Sequence, residues 1–318
     1  MSAAAGPGSV AVILTCYNEG AWIEEAVSSV LAQTAADAIS EIVVADDGSD
    51  AATVAVLERL RGLDARITVL SHGGYGTSRN RNVAVRHCSA PLLAFLDADD
   101  LWMPGKLAAQ LQALAEHPET GLVYTGFCLF QNHAPDALTP VRVLDHTDAR
   151  DLALSYFVSD PPVIPSSVLL RRSVFELAGG FDESLRVFED TEFFCRLARI
   201  TRYRALVDPH HVHKRNHGSS ITNKRQDLMM HHAFVAFYLA RTEPRLLAHI
   251  PRRLSERARK LGNLEARDGR PDSASRFYRL ALALRPVSAL AWINLAMLKL
   301  RVTGLVYHLR TSVSSTKV

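Results

Sequence analysis

The sequence contains few cysteines, and none of them are close together. Four cysteines lie scattered through 318 residues without a CxxC pair: Cys16, Cys88, Cys128 and Cys195. This scarcity argues against a disulfide framework and against a thiolate zinc site, and it favours a reducing compartment. The composition is otherwise that of an ordinary globular protein, with 48% apolar and 22% charged residues.

Long apolar runs and a strong net charge are also absent. The apolar stretch at residues 286–298 ends before Lys299 and is shorter than the roughly 20 residues of a membrane-spanning helix. The first ten residues lack the basic and apolar regions of a secretory signal, so residues 1–9 are expected to be a flexible leader. A formal charge of +3 is too small to indicate a nucleic-acid partner. These absences favour a cytoplasmic protein that does not bind nucleic acid.

One segment is more basic than the rest of the chain. Residues 241–260 carry seven arginine and lysine residues against two glutamates. Such a stretch is typical of a charged helix face in solvent, and it also suits an anionic partner. The sequence leaves both interpretations open, and the second includes peripheral contact with the cytoplasmic face of a membrane.

Apolar, β-branched runs alternate with segments of helical periodicity through the first part of the chain. Strands are predicted at 10–16, 41–46, 66–70 and 92–97, and helices at 19–33, 52–60, 78–87 and 104–116. Alternation of this kind is typical of a mostly parallel, Rossmann-like sheet flanked by helices. In such an α/β fold the ligand site lies at the carboxyl ends of the strands.

The pattern becomes mixed after residue 121. We expect strands at 122–130, 163–170 and 203–207, helices at 173–177 and 189–200, and a histidine-rich loop at 210–220. No cysteine or acidic residue stands at a zinc-ligand spacing in that loop, so no zinc site is expected there. Beyond residue 226 almost every segment predicts helix, so an all-helical region follows the α/β part.

The C-terminal helices carry a repeat signal. From Leu261-Gly262 onward, one and a half units follow the 34-residue tetratricopeptide pattern through Ala274, Tyr278, Ala281, Pro286, Trp292, Leu295 and Ala296. A generic antiparallel helix pair is the alternative. The predicted organisation is an α/β domain at 10–222, a helical linker at 223–256, tetratricopeptide-like helices at 257–303 and a tail at 304–318.

Acidic side chains follow the predicted strands at their carboxyl ends. Asp97 and Asp99 come after a buried strand, and alternate side chains of an extended segment share a face. Two such carboxylates suit Mg²⁺ or Mn²⁺ held together with a diphosphate, although a solvated loop would look similar. In the pair Asp46-Asp47, we expect one carboxylate to be structural and the other to accept a hydrogen bond from a nucleobase.

These segments together resemble a family 2 glycosyltransferase with the GT-A fold. The resemblance covers residues 10–222 and rests on the segments 12–19, 46–49, 76–84, 97–104, 179–182 and 189–190. It implies transfer of a sugar from a nucleotide donor with inversion, assisted by a divalent cation. No QxxRW motif follows residue 190, so the processive polymer synthases of the family are a poor guide.

The resemblance also assigns roles to individual residues. It implies a general base at Asp190, and a metal and diphosphate site at Asp97 and Asp99. Positions that match donor-binding residues of the family are Thr15, Tyr17, Glu19, Asp46, Arg81, Asn82 and His217. His217 lies in a loop that in relatives closes over the diphosphate, so it is expected to bind the metal or a phosphate. Asn80 and Ala84 depart from the family pattern around Arg81.

The expected donor is a UDP-sugar, and the expected acceptor is a glycan or a lipid-linked sugar used in cell-surface polysaccharide, glycolipid or glycoprotein assembly. A sugar nucleotidyltransferase would need a glycine-rich, basic loop after the first strand, where Tyr17-Asn18-Glu19-Gly20 stands instead. A catalytically silent scaffold is a further alternative, against which the acidic residues argue. The sequence leaves open the donor sugar, the acceptor and whether the chain forms a homodimer.

Overall fold

The computed structural model describes residues 8–143, 145, 150–217 and 225–300, with the side chains of 225 and 226 excepted. The chain divides into two compact units, the first comprising residues 1–156 and 161–220 and the second residues 157–160 and 221–318. The expected tail and most of the expected leader lie outside the described residues. The predicted boundary between the helical linker and the tetratricopeptide-like helices stays a prediction.

The first unit is built on two β-sheets. In chain order the strands are β1 (Val10–Cys16), β2 (Ile39–Asp46), β3 (Ile67–Ser71), β4 (Leu92–Asp97), β5 (Leu101–Trp102), β6 (Thr120–Thr125), β7 (Phe127–Gln131), β8 (Ala134–Val141), β9 (Val168–Arg171), β10 (Arg202–Leu206) and β11 (Val212–Arg215). The larger sheet has the order β10–β6–β9–β4–β1–β2–β3, and the smaller one the order β5–β11–β7–β8. In the larger sheet only β9 is antiparallel to its neighbours, so the predicted mostly parallel, mixed sheet is confirmed.

Helices account for most of the remaining described chain. They are α1 (Ile23–Leu31), α2 (Ala51–Leu60), α3 (Thr77–His87), α4 (Lys106–Glu116), α5 (Leu152–Ser159), α6 (Arg172–Ala178), α7 (Glu189–Leu197), α8 (Arg225–Thr242), α9 (Ile250–Arg267), α10 (Pro271–Leu284) and α11 (Ala289–Lys299). In β1, consecutive residues from Val10 to Leu14 are at most 1% exposed. Burial on both faces explains why this strand is continuously apolar instead of alternating.

The prediction of a single strand at 122–130 is wrong. It is two strands that belong to different sheets, β6 and β7, and Gly126 separates them. A Cβ atom at Gly126 would lie 2.9 Å from the backbone of Pro209, so the chain turns where only glycine fits. The apolar run concealed this break because both halves are buried.

Two further predictions need correction. The strand expected at 163–170 begins only at Val168, because Pro165 lacks an N–H and starts a 3₁₀ turn. The loop expected at 210–220 contains β11, which pairs with β5 and β7. Strands β5 and β8 and helix α5 have no counterpart among the predicted elements.

The second unit confirms the expected all-helical region. Helices α9 and α10 approach so closely that a Cβ atom at Gly262 would lie 2.5 Å from the ring of Tyr278. Ala274 and Ala281 are fully buried beside this contact. A tetratricopeptide unit and a generic helix pair would both bury these positions, so the repeat assignment stays a prediction.

Part of the basic segment 241–260 serves packing in the second unit. Arg253 is fully buried, and its Nη2 lies 2.9 Å from Oδ1 of Asp160. Arg257 also pairs with Asp160, and Lys260 Nζ donates to the Ser159 carbonyl at 2.8 Å. These three cations therefore contribute little to an exposed basic face. Across the described residues, no helix is both long and apolar enough to cross a membrane.

Candidate active site

The carboxyl ends of β1, β2 and β4 lie side by side at one edge of the larger sheet. In the strand register Thr15 stands next to Asp97, and Cys16 next to Asp46. Parallel pairing aligns strand ends, which is why residues far apart in sequence meet here. The fold thus brings together Thr15, Asp46 and Asp97, as the sequence predicted.

Tyr17 and Glu19 lie in the turn that follows β1. Tyr17 is 59% exposed, and its N–H donates to Glu19 Oε2 at 3.3 Å. Burial, together with the negative charges of Asp99 and Asp97, raises the pKa of Glu19 to about 8. Glu19 therefore favours its protonated form at neutral pH. This location places a carboxyl hydrogen-bond donor beside the predicted diphosphate site.

The two aspartates after β2 have different partners. Asp47 accepts hydrogen bonds from the N–H groups of Tyr75 and Gly76, at 2.7 and 2.9 Å. It therefore fixes the glycine-rich loop that leads into α3. Asp46 is 2% exposed and accepts from Ser49 N at 3.2 Å. Asp47 has the structural role expected for one member of the pair, and Asp46 is the remaining candidate for nucleobase contact.

A third aspartate holds the Asp97–Asp99 loop in place. Asp100 is fully buried and accepts hydrogen bonds from Ser166 Oγ at 2.6 Å and from Arg215 N at 3.1 Å. Ser166 Oγ in turn accepts from the Asp97 N–H at 3.1 Å. Burial raises the pKa of Asp100 to about 7, while Lys214, 3.7 Å away, opposes that shift. Sequence reasoning assigned no role to Asp100 or Ser166, although the run of acids at 97–100 marks the first of them.

His217 contacts Asp99 directly. Its Nε2 lies 2.8 Å from Asp99 Oδ2, and its ring lies 4.6 Å from the ring of Trp22. The neighbouring Arg215 donates from Nε to the Asp99 carbonyl at 2.9 Å, and its Nη2 lies 2.6 Å from Glu25 Oε2. Strand β11, which the sequence analysis missed, therefore brings His217 to the predicted metal site.

Arg81 links the Asp97–Asp99 loop to the start of α7. Its side chain is 4% exposed, and it donates to Asp97 Oδ1 at 2.8 Å and to Glu189 Oε1 at 2.9 Å. A planar guanidinium suits two carboxylates at once. The structure thus gives Arg81 a positioning role between two acidic motifs. A direct contact with the donor stays a prediction.

Asp190 lies in the first turn of α7, next to Glu189. Its Oδ1 accepts from the Thr191 N–H at 2.6 Å. Burial and the charge of Glu189 together raise the pKa of Asp190 to about 7, although the positive charge of Arg81 opposes this shift. Phe188, which precedes Glu189, has a left-handed backbone with φ of 61°, which costs about 1–3 kcal/mol in a residue with a side chain. Strain of this kind is often found at functional sites, and here it immediately precedes the acidic pair.

Asn82 stabilises the loop that leads toward α7. Its Nδ2 donates to the Phe181 carbonyl at 2.8 Å, and its Oδ1 accepts from the Phe181 N–H at 2.9 Å. A Cβ atom on Gly180, whose φ is 77°, would lie 2.6 Å from Asn82 Oδ1. The ring of Phe181 then stacks on Phe193 of α7 with 4.1 Å between centroids. Asn82 thus helps to position α7, and its predicted donor contact stays a prediction.

The acidic residues at this edge do not form a metal cage of protein ligands. Within the described ranges, no three His, Cys, Asp or Glu side chains form a group that could hold a metal ion. Magnesium, however, usually takes one or two carboxylates and completes its coordination with substrate phosphates and water. Asp97 and Asp99 are two carboxylates of the kind that such a substrate-shared site uses, and His217 contacts one of them, Asp99.

The chain belongs to glycosyl transferase family 2, whose family model matches residues 11–177, and it is a glycosyltransferase. The curated relatives that match the chain include further proteins named as glycosyltransferases. The chain is 27% identical over 248 residues to the "Uncharacterized glycosyltransferase EpsJ" of Bacillus subtilis (strain 168), covering 72% of this chain and 69% of that protein. It is 32% identical over 126 residues to an Escherichia coli protein named "UDP-Glc:alpha-D-GlcNAc-diphosphoundecaprenol beta-1,3-glucosyltransferase WfgD", covering 39% of this chain and 48% of that one.

Solved structures support the GT-A fold. The chain is similar to S. aureus TarS 1-349 crystallised in complex with UDP-GlcNAc, with a TM-score of 0.60 and 18% sequence identity. The match covers 91% of this chain and 90% of that one. The predicted fold class, a GT-A domain followed by an all-helical region, is therefore confirmed.

Proposed function

We propose that this glycosyltransferase moves a sugar from a nucleoside diphosphate donor, a UDP-sugar, to an acceptor hydroxyl with inversion at the anomeric carbon. The observation that carries the proposal is the bridge made by Arg81. One buried guanidinium contacts Asp97 of the loop after β4 and Glu189 of the acidic pair at α7. This contact supports the proposal, because a single displacement requires the base to be close to the leaving diphosphate.

Asp190 acts as the general base in this proposal. Its carboxylate accepts the proton of the acceptor hydroxyl while the acceptor oxygen bonds to the anomeric carbon. The bond from that carbon to the diphosphate oxygen breaks, and the nucleoside diphosphate leaves with the electron pair. A raised pKa suits this role, because a base with a pKa near the working pH combines ionisation with proton affinity. Such a base typically contributes about 10²–10⁴ in rate.

A divalent cation, Mg²⁺ or Mn²⁺, would be held by Asp99 and Asp97 together with the diphosphate of the donor, and His217 beside Asp99 would bind the metal or a phosphate. When bound, it would act as a Lewis acid that stabilises the negative charge of the leaving diphosphate. Asp100 and Ser166 keep the Asp97 backbone in place. The Arg215 side chain holds the Asp99 carbonyl in the same way. The chain's own contribution is therefore a loop whose carboxylates are already oriented.

The nucleoside of the donor would lie along the ends of β1 and β2. Thr15, Tyr17, Glu19 and Asp46 occupy these ends, and Tyr17 offers an exposed ring for stacking. The similarity to TarS, whose crystals contain UDP-GlcNAc, supports a UDP-sugar. The name of the Escherichia coli relative, which contains a diphosphoundecaprenol-linked sugar, supports a lipid-linked sugar acceptor. Such an acceptor fits a role in cell-surface polysaccharide assembly.

Ligand binding and product stereochemistry test this proposal. A thermal-shift panel of UDP, GDP and dTDP should show stabilisation by UDP that depends on Mn²⁺, because a bound ligand raises the unfolding free energy. Hydrolysis of α-linked UDP-sugars, followed by NMR before the anomers interconvert, should release the β anomer first. The α anomer as first product would refute inversion. Failure of every UDP-sugar to turn over would favour the silent scaffold.

A further inference from the structure

Helix α8 carries apolar side chains on two faces. Leu228, Val235 and Leu239 are buried. On another face, Met230, Phe234 and Phe237 are 68%, 55% and 57% exposed. A helix that is apolar on all sides is normally buried on all sides. Three large exposed apolar residues at helical spacing therefore point to a surface that another molecule covers.

The exposed face has an acidic residue at one end and a basic residue at the other. Asp227 and Arg241 are exposed, and together with the apolar residues they follow the spacing 3, 4, 3, 4 along the helix. This spacing keeps all five side chains on one side of the helix. The guanidinium carbon of Arg241 lies 4.6 Å from the centroid of the Tyr238 ring, so this cation is held near the end of the stripe. We call Asp227, Met230, Phe234, Phe237 and Arg241 the α8 stripe.

The α8 stripe is complementary to itself when reversed. Phe234 stands seven residues after Asp227 and seven before Arg241. At 1.5 Å per residue the two charges are about 21 Å apart along the helix axis. In an antiparallel pair with its two-fold axis at Phe234, each Asp227 would face Arg241 of the partner subunit. The apolar residues would meet between these two ion pairs.

We propose that the chain forms a homodimer through antiparallel pairing of the α8 stripe. A two-fold axis requires a surface that matches itself, and this one does so in both charge and apolar content. The stripe carries one negative and one positive group, so its net charge is zero. An anionic membrane would instead select an excess of cations around the apolar residues. The charge pattern therefore favours a second copy of this chain over a lipid surface.

Sedimentation of the full-length protein provides the first test. The wild-type chain should have the mass of a dimer at low micromolar concentration. Phe234→Glu, which keeps a good helix former, should weaken association at least about 100-fold, because two apolar rings lose their cover and two charges meet at the axis. Leu177→Glu is the matched control, since Leu177 is 73% exposed on α6 and should leave the mass unchanged. Circular dichroism checks that both variants fold.

A charge exchange tests the antiparallel register. Asp227→Arg or Arg241→Asp alone turns two attractive contacts into repulsive ones, and each should weaken the dimer roughly 5- to 30-fold. The double variant Asp227→Arg/Arg241→Asp recreates both pairs with reversed polarity. It should return the dissociation constant to within about threefold of wild type. A double variant that is weaker than either single one would overturn the register.

Disulfide formation gives an independent readout. The four native cysteines are buried, so Phe234→Cys should form an intermolecular disulfide across the axis, whereas Leu177→Cys should not. A wild-type chain that is monomeric at about 100 µM would overturn the proposal. So would a dimer that Phe234→Glu leaves intact. A monomer that sediments with phosphatidylglycerol vesicles only when Phe234 is present would assign the stripe to a membrane instead.

Discussion

Arg81 Nη2 lies 2.8 Å from Asp97 Oδ1, although the two residues belong to different elements of the α/β unit. The same guanidinium reaches Glu189 at the start of α7. One buried cation therefore fixes the separation between the acidic loop after β4 and the acidic pair that precedes the proposed base. Substitution of Arg81 should therefore affect both the stability of the fold and the geometry of the site.

Replacing Arg81 should destabilise the fold as well as the site. The side chain of Arg81 is only 4% exposed. In Arg81→Gln, the carboxylates of Asp97 and Glu189 lose the buried cation that they share. We expect the unfolding free energy to fall by about 3 kcal/mol, measured by urea denaturation. Arg59→Gln is the control, because its pair with Glu24 is half exposed and should be worth less than about 1 kcal/mol. Equal, small losses in both variants would contradict the positioning role.

Asp99→Asn should separate metal binding from folding. The substitution keeps the side-chain volume and removes the charge that the proposed cation needs. We expect the Mn²⁺-dependent part of the thermal shift by UDP to disappear while the melting temperature without ligand stays close to wild type. Asp50→Asn is the matched control, since Asp50 caps α2 and asparagine caps equally well. An unchanged Mn²⁺ dependence in Asp99→Asn would remove Asp99 from the metal site.

Asn82 distinguishes a structural contact from a donor contact. Asn82→Ala leaves the buried N–H and carbonyl of Phe181 without their partner. We expect a loss of about 1–3 kcal/mol in unfolding free energy, together with reduced turnover because α7 is less well held. Affinity for UDP should change less than threefold if Asn82 acts only on the loop. A large loss of UDP affinity with unchanged stability would instead support the predicted donor contact of Asn82.

The pH dependence of turnover should report Asp190. Because burial raises its pKa to about 7, the protonated form dominates below that pH and cannot accept a proton. Turnover should therefore rise with pH through this pKa and fall by about tenfold per unit below it. Donor hydrolysis measured between about pH 5 and about pH 9 gives the profile, with UDP affinity at each pH as the reference. Turnover that is unchanged down to about pH 5 would contradict a base with a raised pKa.

The sequence was sufficient to predict the parallel part of the sheet and the edge where the site lies. Continuous burial makes β1 and β4 visible as apolar runs, and parallel pairing then forces Thr15 and Asp97 together. Apolar runs and strand pairing could not predict that Asp100 holds the Asp97–Asp99 loop in place. Its partner Ser166 lies in the 3₁₀ turn before β9, where the sequence predicted a strand, and its partner Arg215 lies in β11, where the sequence predicted a loop.

Other features depend on contacts that leave no periodic signal. The two-residue strand β5 and strand β11 are too short to show alternation, yet their pairing brings His217 to Asp99. Gly126 divides an apolar run because of a close backbone contact with Pro209, which only the folded chain reveals. The ion pair between Arg81 and Glu189 likewise joins residues 108 positions apart.

Asp190→Asn tests the central claim most directly. Asparagine keeps the shape of the side chain and can still accept a hydrogen bond from the Thr191 N–H, but it cannot take a proton from the acceptor. We predict that the variant binds UDP in Mn²⁺ with wild-type affinity and loses turnover by about 10²-fold or more, because only the transition state needs the base. Wild-type turnover in this variant, or a matching loss of UDP affinity, would contradict the account.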